Sequence, residues 1–264
     1  MSPPAAPLLF LTGASSGLGQ ALALHYHRAG WRLALVVRRP ESLQPWLDTH
    51  GLGADRVAVY AADVRDPEQI RAAGRACLAA QGLPDVVVAN AGISHGVDLA
   101  EAEDLQVLRD IFDTNVLGLA ATFQPFIGPM RQARRGTLVG IASVAGIRGL
   151  PGHAAYTSSK SAVITLCESL RVELRPQGVR VVTLLPGYVD TRMTRGNPFP
   201  MPFLIRAEQF AERAARAIAG GRRWRVIPWQ MGVVAWLLRA VPRALWDRAM
   251  ARAGRKPRAT GPGR

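Results

Sequence analysis

Lysine is nearly missing from this chain. Of 33 basic residues only Lys160 and Lys256 are lysines, and the rest are arginines. Such a bias favours arginine wherever either cation serves. A lysine kept in mid-chain, at 160, therefore points to a task that a guanidinium does badly and that suits a compact ammonium with a tunable pKa. Cysteine is also scarce. Cys77 and Cys167 are the only two, which excludes a disulfide framework and a cysteine metal cluster. Two unpaired thiols fit a reducing, cytoplasmic compartment. No apolar run approaches the ~20 residues that cross a bilayer. The apolar run near the N-terminus covers residues 8–11 with no basic stretch before it, so no secretory signal is expected. Acidic residues are the minority, 19 against 33 basic, for a net charge of +14. That excess is spread, with extra density only near the C-terminus. A nucleic-acid partner is therefore not expected, and attraction for an anionic cofactor or solubility explains the charge.

Hydrophobic residues make up 48% of a 264-residue chain, enough for one large α/β domain. Residues 8–11 form a continuous apolar run, as in a strand buried on both faces of a parallel sheet. Gly13, Gly17 and Gly19 follow at once, and a helical pattern covers 20–29. Strand, glycine turn and helix make a cradle for a pyrophosphate, which would sit on the helix N-terminus. A second strand, 31–37, ends in Arg38-Arg39. An acidic residue at this point would hold a ribose 2′-hydroxyl, whereas a guanidinium suits a 2′-phosphate. NADP is thus favoured over NAD. Further strands read at 56–61, 85–89, 136–142, 179–184 and 224–228, with helical patterns at 67–81, 101–121 and 208–219.

Tyr156 and Lys160 stand at i and i+4, on one face of a helix. An ammonium beside a phenol favours the phenolate and draws its pKa towards the working range. The pair is a candidate general acid/base; a solvated helix face is the plain alternative.

Taken in order, Thr12-Gly13…Gly17-Leu18-Gly19, Asn90-Ala91-Gly92, Asn115, Ser143 and Tyr156-x-x-x-Lys160 resemble the short-chain dehydrogenase/reductase family, over roughly 8–228. One departure is Ala89, where the family usually has a second Asn. The resemblance implies a Rossmann-like, doubly wound, seven-stranded parallel sheet with helices on both faces. It implies Asn115, Ser143, Tyr156 and Lys160 as the catalytic set: Ser143 polarises the substrate carbonyl, Tyr156 carries the proton, Lys160 lowers its pKa and holds the nicotinamide ribose, and Asn115 kinks its helix and supports a water relay. Cofactor contacts are implied for Thr12, Gly13, Ser15, Ser16, Gly17, Leu18 and Gly19, for Arg38, Arg39, Asp63 and Val64, for Asn90, Ala91 and Gly92, for Tyr156 and Lys160, and for Pro186, Gly187, Val189 and Thr191. No metal site is expected. The implied activity is hydride transfer between NADP(H) and a carbonyl or secondary alcohol. An epimerase or dehydratase on the same scaffold, or a silent cofactor-binding regulator, are the alternatives.

Residues 197–203, rich in Pro, Phe and Met, fall where the family has its variable substrate loop. With the Trp-rich stretch 229–252 they suggest a hydrophobic small-molecule substrate. The latter stretch has arginines at near-helical spacing and a break at Pro242. It could cap the pocket, join subunits, or lie on an anionic membrane as a peripheral contact. The family implies a homodimer or homotetramer. Residues 1–7 read as a flexible lead and 253–264, rich in Gly, Pro and Arg, as a disordered tail.

Overall fold

The computed structural model describes residues 6–195, 197, 199–251 and 253–258. The elements alternate. Strand β1 (Leu8–Thr12) leads to helix α1 (Gly17–Arg28), β2 (Arg32–Val37), α2 (Gln44–Thr49), β3 (Val57–Ala61), α3 (Pro67–Gln81) and β4 (Val86–Ala89). Then come α4 (Asp104–Phe112), a π-helical turn (Asp113–Leu117), α5 (Gly118–Ala133), β5 (Thr137–Ile141), α6 (Ala154–Leu174) and β6 (Arg180–Pro186). The chain continues through β7 (Val189–Asp190), β8 (Ile205–Arg206), α7 (Ala207–Ala219), β9 (Trp224–Ile227), α8 (Trp229–Ala240) and α9 (Arg243–Met250).

Seven strands form one parallel sheet in the order β3-β2-β1-β4-β5-β6-β9. The order reverses direction between β1 and β4, and that switch point places a cleft at the carboxyl ends of the two central strands. The expected architecture is therefore what the chain adopts. The short pair β7–β8 stands apart from the main sheet.

The apolar runs are continuous because both faces are covered. In β1, Leu8 and Phe10 enter the core on the side of α3, α5 and α6, while Leu9 and Leu11 enter the core on the side of α1 and α7. All four are fully buried. Phe10 meets Phe126 of α5 with ring centroids 4.6 Å apart, and Leu22 and Phe210 fill the opposite side. Burial of one such side chain contributes about 1.5–3 kcal/mol. Gly74 lets α3 approach α5, since a Cβ there would lie 2.6 Å from Pro125.

The ends of the chain differ from their reading in sequence. Ala6 and Pro7 are held, because Arg32 donates to both of their carbonyls; residues 1–5 lie outside the described residues. Helices α8 and α9 break at Pro242, as the composition suggests, and fold back on the domain. Arg148 donates to the carbonyls of Leu238 (2.9 Å) and Val241 (2.7 Å), which answers the open carbonyls at the end of α8. Trp246 stacks on the Arg148 guanidinium and donates to Gly149. Residues 253–258, expected to be disordered, run against the domain instead. Gly96 pairs with Arg258 as a β-bridge, and Arg258 donates to the buried carboxylate of Asp104 at 2.7 Å. Composition misleads here because ion pairs, rather than apolar burial, fix the segment. Residues 259–264 lie outside the described residues. No helix among the described residues is long and apolar enough to cross a membrane.

Candidate active site

A cleft of about 460 Å³ opens at the carboxyl ends of β1, β4 and β5. Its floor at one end is the turn after β1. Gly13 and Gly17 take positive φ (68° and 53°), a region open to glycine at little cost. A Cβ on Gly13 would lie 2.8 Å from the Cα of Ala91, and one on Gly19 would overlap the carbonyl of Gly13. Ser16 begins α1 without a side-chain cap, and the first turn carries no acidic residue. The N–H groups of that turn, the helix dipole and the absence of a competing carboxylate together fit a diphosphate.

The cleft is lined by Gly13, Ser15, Ser16, Gly17 and Leu18, by Arg38, Asp63 and Val64, by Asn90, Ala91 and Gly92, by Ser143, Tyr156 and Lys160, and by Pro186, Gly187, Val189 and Thr191. Four expected residues do not line it. Thr12 is fully buried, and its hydroxyl accepts from the Asn90 N–H at 3.2 Å, so it fixes the turn that lines the cleft. Gly19 supplies close packing beneath Gly13. Arg39 falls outside the lining, and its carbonyl accepts from Ser42. Asn115 sits in the π-helical turn, so the expected helix distortion is present. Its amide is turned onto Ile93, donating to the carbonyl (3.0 Å) and accepting from the N–H (2.8 Å), and it also donates to Ser159. Asn115 therefore ties the loop after β4 to α6.

Arg65, His95 and Arg192 line the cleft without having been singled out in sequence. Arg65 follows Asp63 by two positions and grips its carboxylate, with Nη2 to Oδ2 at 2.8 Å. Burial alone would raise the Asp63 carboxyl. Hydrogen bonds from Arg65 and the charges of Arg65 and Arg38 outweigh it and hold the group below the usual range. A Glu or Asp paired to a neighbouring Arg at a strand end was a findable signal; the reach of Arg192 from a distant loop was not.

At the other end three side chains converge. Ser143 ends the segment after β5, and its hydroxyl accepts from Ala145 N–H at 3.1 Å. Tyr156 and Lys160 rise one turn apart on α6. Burial raises the Tyr156 phenol, and interaction with the Ser143 hydroxyl pulls it back down in part. The Lys160 ammonium lies 5.9 Å from the Tyr156 ring centroid and donates to the Ile141 carbonyl at 2.8 Å. Burial lowers its pKa to about 8. In the protein alone, burial of the Tyr156 phenol outweighs its hydrogen bond with Ser143, so the direction is upward. Gly92 borders the group, since a Cβ there would lie 3.2 Å from Asn115 Oδ1 and 3.5 Å from Lys160 Nζ.

The short chain dehydrogenase profile matches residues 8–198. An uncharacterized oxidoreductase of Myxococcus xanthus (strain DK1622) is 41% identical over 242 residues, 92% of this chain and 95% of that protein. Among solved structures, a short chain dehydrogenase from Burkholderia cenocepacia J2315 in complex with NADP is 27% identical with a TM-score of 0.79, covering 92% of this chain and 97% of that one. A short chain dehydrogenase/reductase from Burkholderia phymatum in complex with NAD is 25% identical with a TM-score of 0.79, covering 98% and 100%.

Proposed function

The chain belongs to the short-chain dehydrogenase/reductase family and is an oxidoreductase of that family that uses a nicotinamide cofactor; from that premise we propose that it is an NADP-preferring carbonyl reductase or alcohol dehydrogenase. One observation carries the reading. The Ser143 and Tyr156 hydroxyls and the Lys160 ammonium meet at one end of a cleft whose other end presents the glycine turn and Arg38. The nicotinamide cofactor, when bound, supplies or accepts the hydride. Ser143 hydrogen-bonds the substrate oxygen, and Tyr156 gives or takes the proton there. A positioned acid of this kind is worth about 10²–10⁴-fold. Lys160, held in place by Ile141 with its pKa lowered by burial to about 8, places its charge beside the phenol and would hold the ribose. Asn115 positions this group by tying Ile93 to α6. Arg38, exposed just after β2, would hold a 2′-phosphate, with Arg65 also in the lining.

The substrate in this reading is a small carbonyl compound with an apolar body, supported by Met193 in the cleft and by Met231 of α8, which packs on Gly187. Met231 sets α8 against Gly187 of the lining, which supports a capping role for the extension, although none of its residues lines the cleft itself. Association into a homo-oligomer is supported by exposed Leu105, Leu117 and Val172 on the helices around Asn115 and Tyr156. A membrane-peripheral role would draw on exposed Trp229, Val233 and Trp236 of α8, with arginines alongside, and binding to anionic vesicles tests it. A cytoplasmic location is supported by the free, buried Cys77 and Cys167. The deciding experiment is a panel of ketones and alcohols with NADPH and NADH, followed at the nicotinamide absorbance. Stoichiometric NADPH consumption supports the reading, whereas turnover that returns the cofactor unchanged supports epimerisation or dehydration.

A further inference from the structure

The segment 253–258 crosses the molecule beside Tyr156 as a strap. It lies along two loops that are bonded to each other, since the Val97 N–H donates to the Gly152 carbonyl at 3.1 Å. Glycines admit it. A Cβ on Gly96 would overlap the carbonyl oxygen of Pro257, and one on Gly152 would lie 2.6 Å from the Lys256 backbone nitrogen. Three cations project from the strap. Arg255 pairs with Asp98 at 3.0 Å, and Arg258 pairs with Asp104 at 2.7 Å and Glu103 at 3.0 Å. These acids account for the anchoring.

Lys256 is the exception. It is half-buried, and no carboxylate among the described residues lies within ion-pair distance of it. Its ammonium donates to the Ser94 hydroxyl at 2.5 Å and the Ser94 carbonyl at 3.2 Å. An ammonium has three donors, so one remains without an acceptor among the described residues. The nitrogen lies 5.8 Å from the Tyr156 ring centroid, about as close as Lys160 at 5.9 Å. Both lysines of an arginine-rich chain therefore stand at one tyrosine. A partly desolvated cation without a counter-charge is unfavourable unless something anionic joins it. Burial accordingly holds the Lys256 ammonium below a free lysine's pKa. Lys256 stands at the Tyr156 ring and is not among the lining residues that include the glycine turn and Arg38, so the dinucleotide phosphates do not account for it.

We infer that Lys256 is a substrate-recognition residue, and that the substrate reduced or oxidised at Tyr156 carries a carboxylate that the Lys256 ammonium binds. This rests on the reductase reading and narrows its substrate class to keto acids, or hydroxy acids, with an apolar body. One ammonium with one spare donor balances a single negative charge, which suits a carboxylate better than a phosphate dianion. Phe199 packs against Gly254 of the strap and lies near His153, with ring centroids 6.3 Å apart, so apolar surface stands beside the strap that carries Lys256.

The test uses the full chain with NADPH, a series of phenyl keto acids of increasing chain length, and their methyl esters. The ratio of kcat/KM for acid over ester should exceed one in the wild type for at least one length, and Lys256→Met should lower that ratio by about 10-fold or more, as for a lost charged hydrogen bond. Gly96→Ala, which pushes the strap off its loop and so displaces the ammonium while keeping the lysine in the chain, should lower the same ratio. Calorimetric binding of the acids and esters to the NADP-loaded protein reads the contrast without turnover. A contrast in binding with no NADPH consumed would overturn the reductase reading and leave the anion site standing. NADPH consumption with no preference for acid, or a preference that Lys256→Met leaves unchanged, would overturn the anion site.

Discussion

Lys160 on α6 donates to the carbonyl of Ile141, 2.8 Å away at the end of β5. The ammonium thus reaches across from helix to sheet and is nearly enclosed, with 5% exposure. It is a cation taken out of water for a carbonyl dipole rather than for a carboxylate. Such a contact offsets little of the desolvation, and the pKa of about 8 is the trace of that imbalance. The protein without cofactor holds its lysine at a thermodynamic disadvantage.

Replacing that lysine should therefore stabilise the cofactor-free fold while destroying activity. Below about pH 8 Lys160 is protonated in both folded and unfolded chains, and the burial penalty acts in full. Between about 8 and 10.5 the unfolded chain keeps a proton that the folded chain has released, so wild-type stability rises with pH over that window. Lys160→Met lacks this dependence. It should be more stable than wild type at pH 7 by on the order of 2 kcal/mol, after allowing for the lost hydrogen bond. Denaturant titrations at pH 7 and pH 10 check it, and the gap should narrow at the higher pH.

Tyr156→Phe removes the proton carrier and keeps the ring. Turnover should fall by at least 10²-fold, with NADPH binding by nicotinamide fluorescence nearly unchanged. A variant that keeps most of its activity would remove Tyr156 from the mechanism.

Arg38→Asp should weaken NADPH more than NADH, because only the former presents a phosphate dianion to the end of β2. Separate KM values for the two cofactors decide it. Equal losses would assign the residue to general electrostatics.

Arg148→Ala leaves the carbonyls of Leu238 and Val241 without their donor and takes away the face on which Trp246 stacks. The expected loss is about 1–3 kcal/mol, seen as a lower Tm together with a change in tryptophan fluorescence. An unaltered Tm would mean that α8 and α9 are held by other contacts.

Most of the fold was readable because its signals are local. The seven main strands sit within a residue or two of their apolar runs, and α3 matches its pattern over Pro67–Gln81. The helix through Asn115 was legible as one pattern but not as three pieces, since a π-turn depends on the amide meeting Ile93 from another segment. The pairs β7 and β8 gave no sign, being two residues each. Tyr156 and Lys160 could be singled out from their spacing, and Ser143 from the family resemblance. Arg192 and the strap could not, because long-range contacts place them. Yet Lys256 carried the same clue as Lys160: its rarity marked it, and the Gly/Pro/Arg setting hid it.

The central strand β1 is flanked by β2 on one edge and by β4 on the other, with Leu9 opposite Val86. During synthesis β2 emerges soon after β1, but the second neighbour arrives only when Val86 has left the ribosome. For that interval an apolar, fully buried strand presents an open edge that another nascent chain could extend. Chaperone demand during expression should peak there, and charged substitutions along Leu8–Thr12 offer no remedy, because both faces of that strand end up dry.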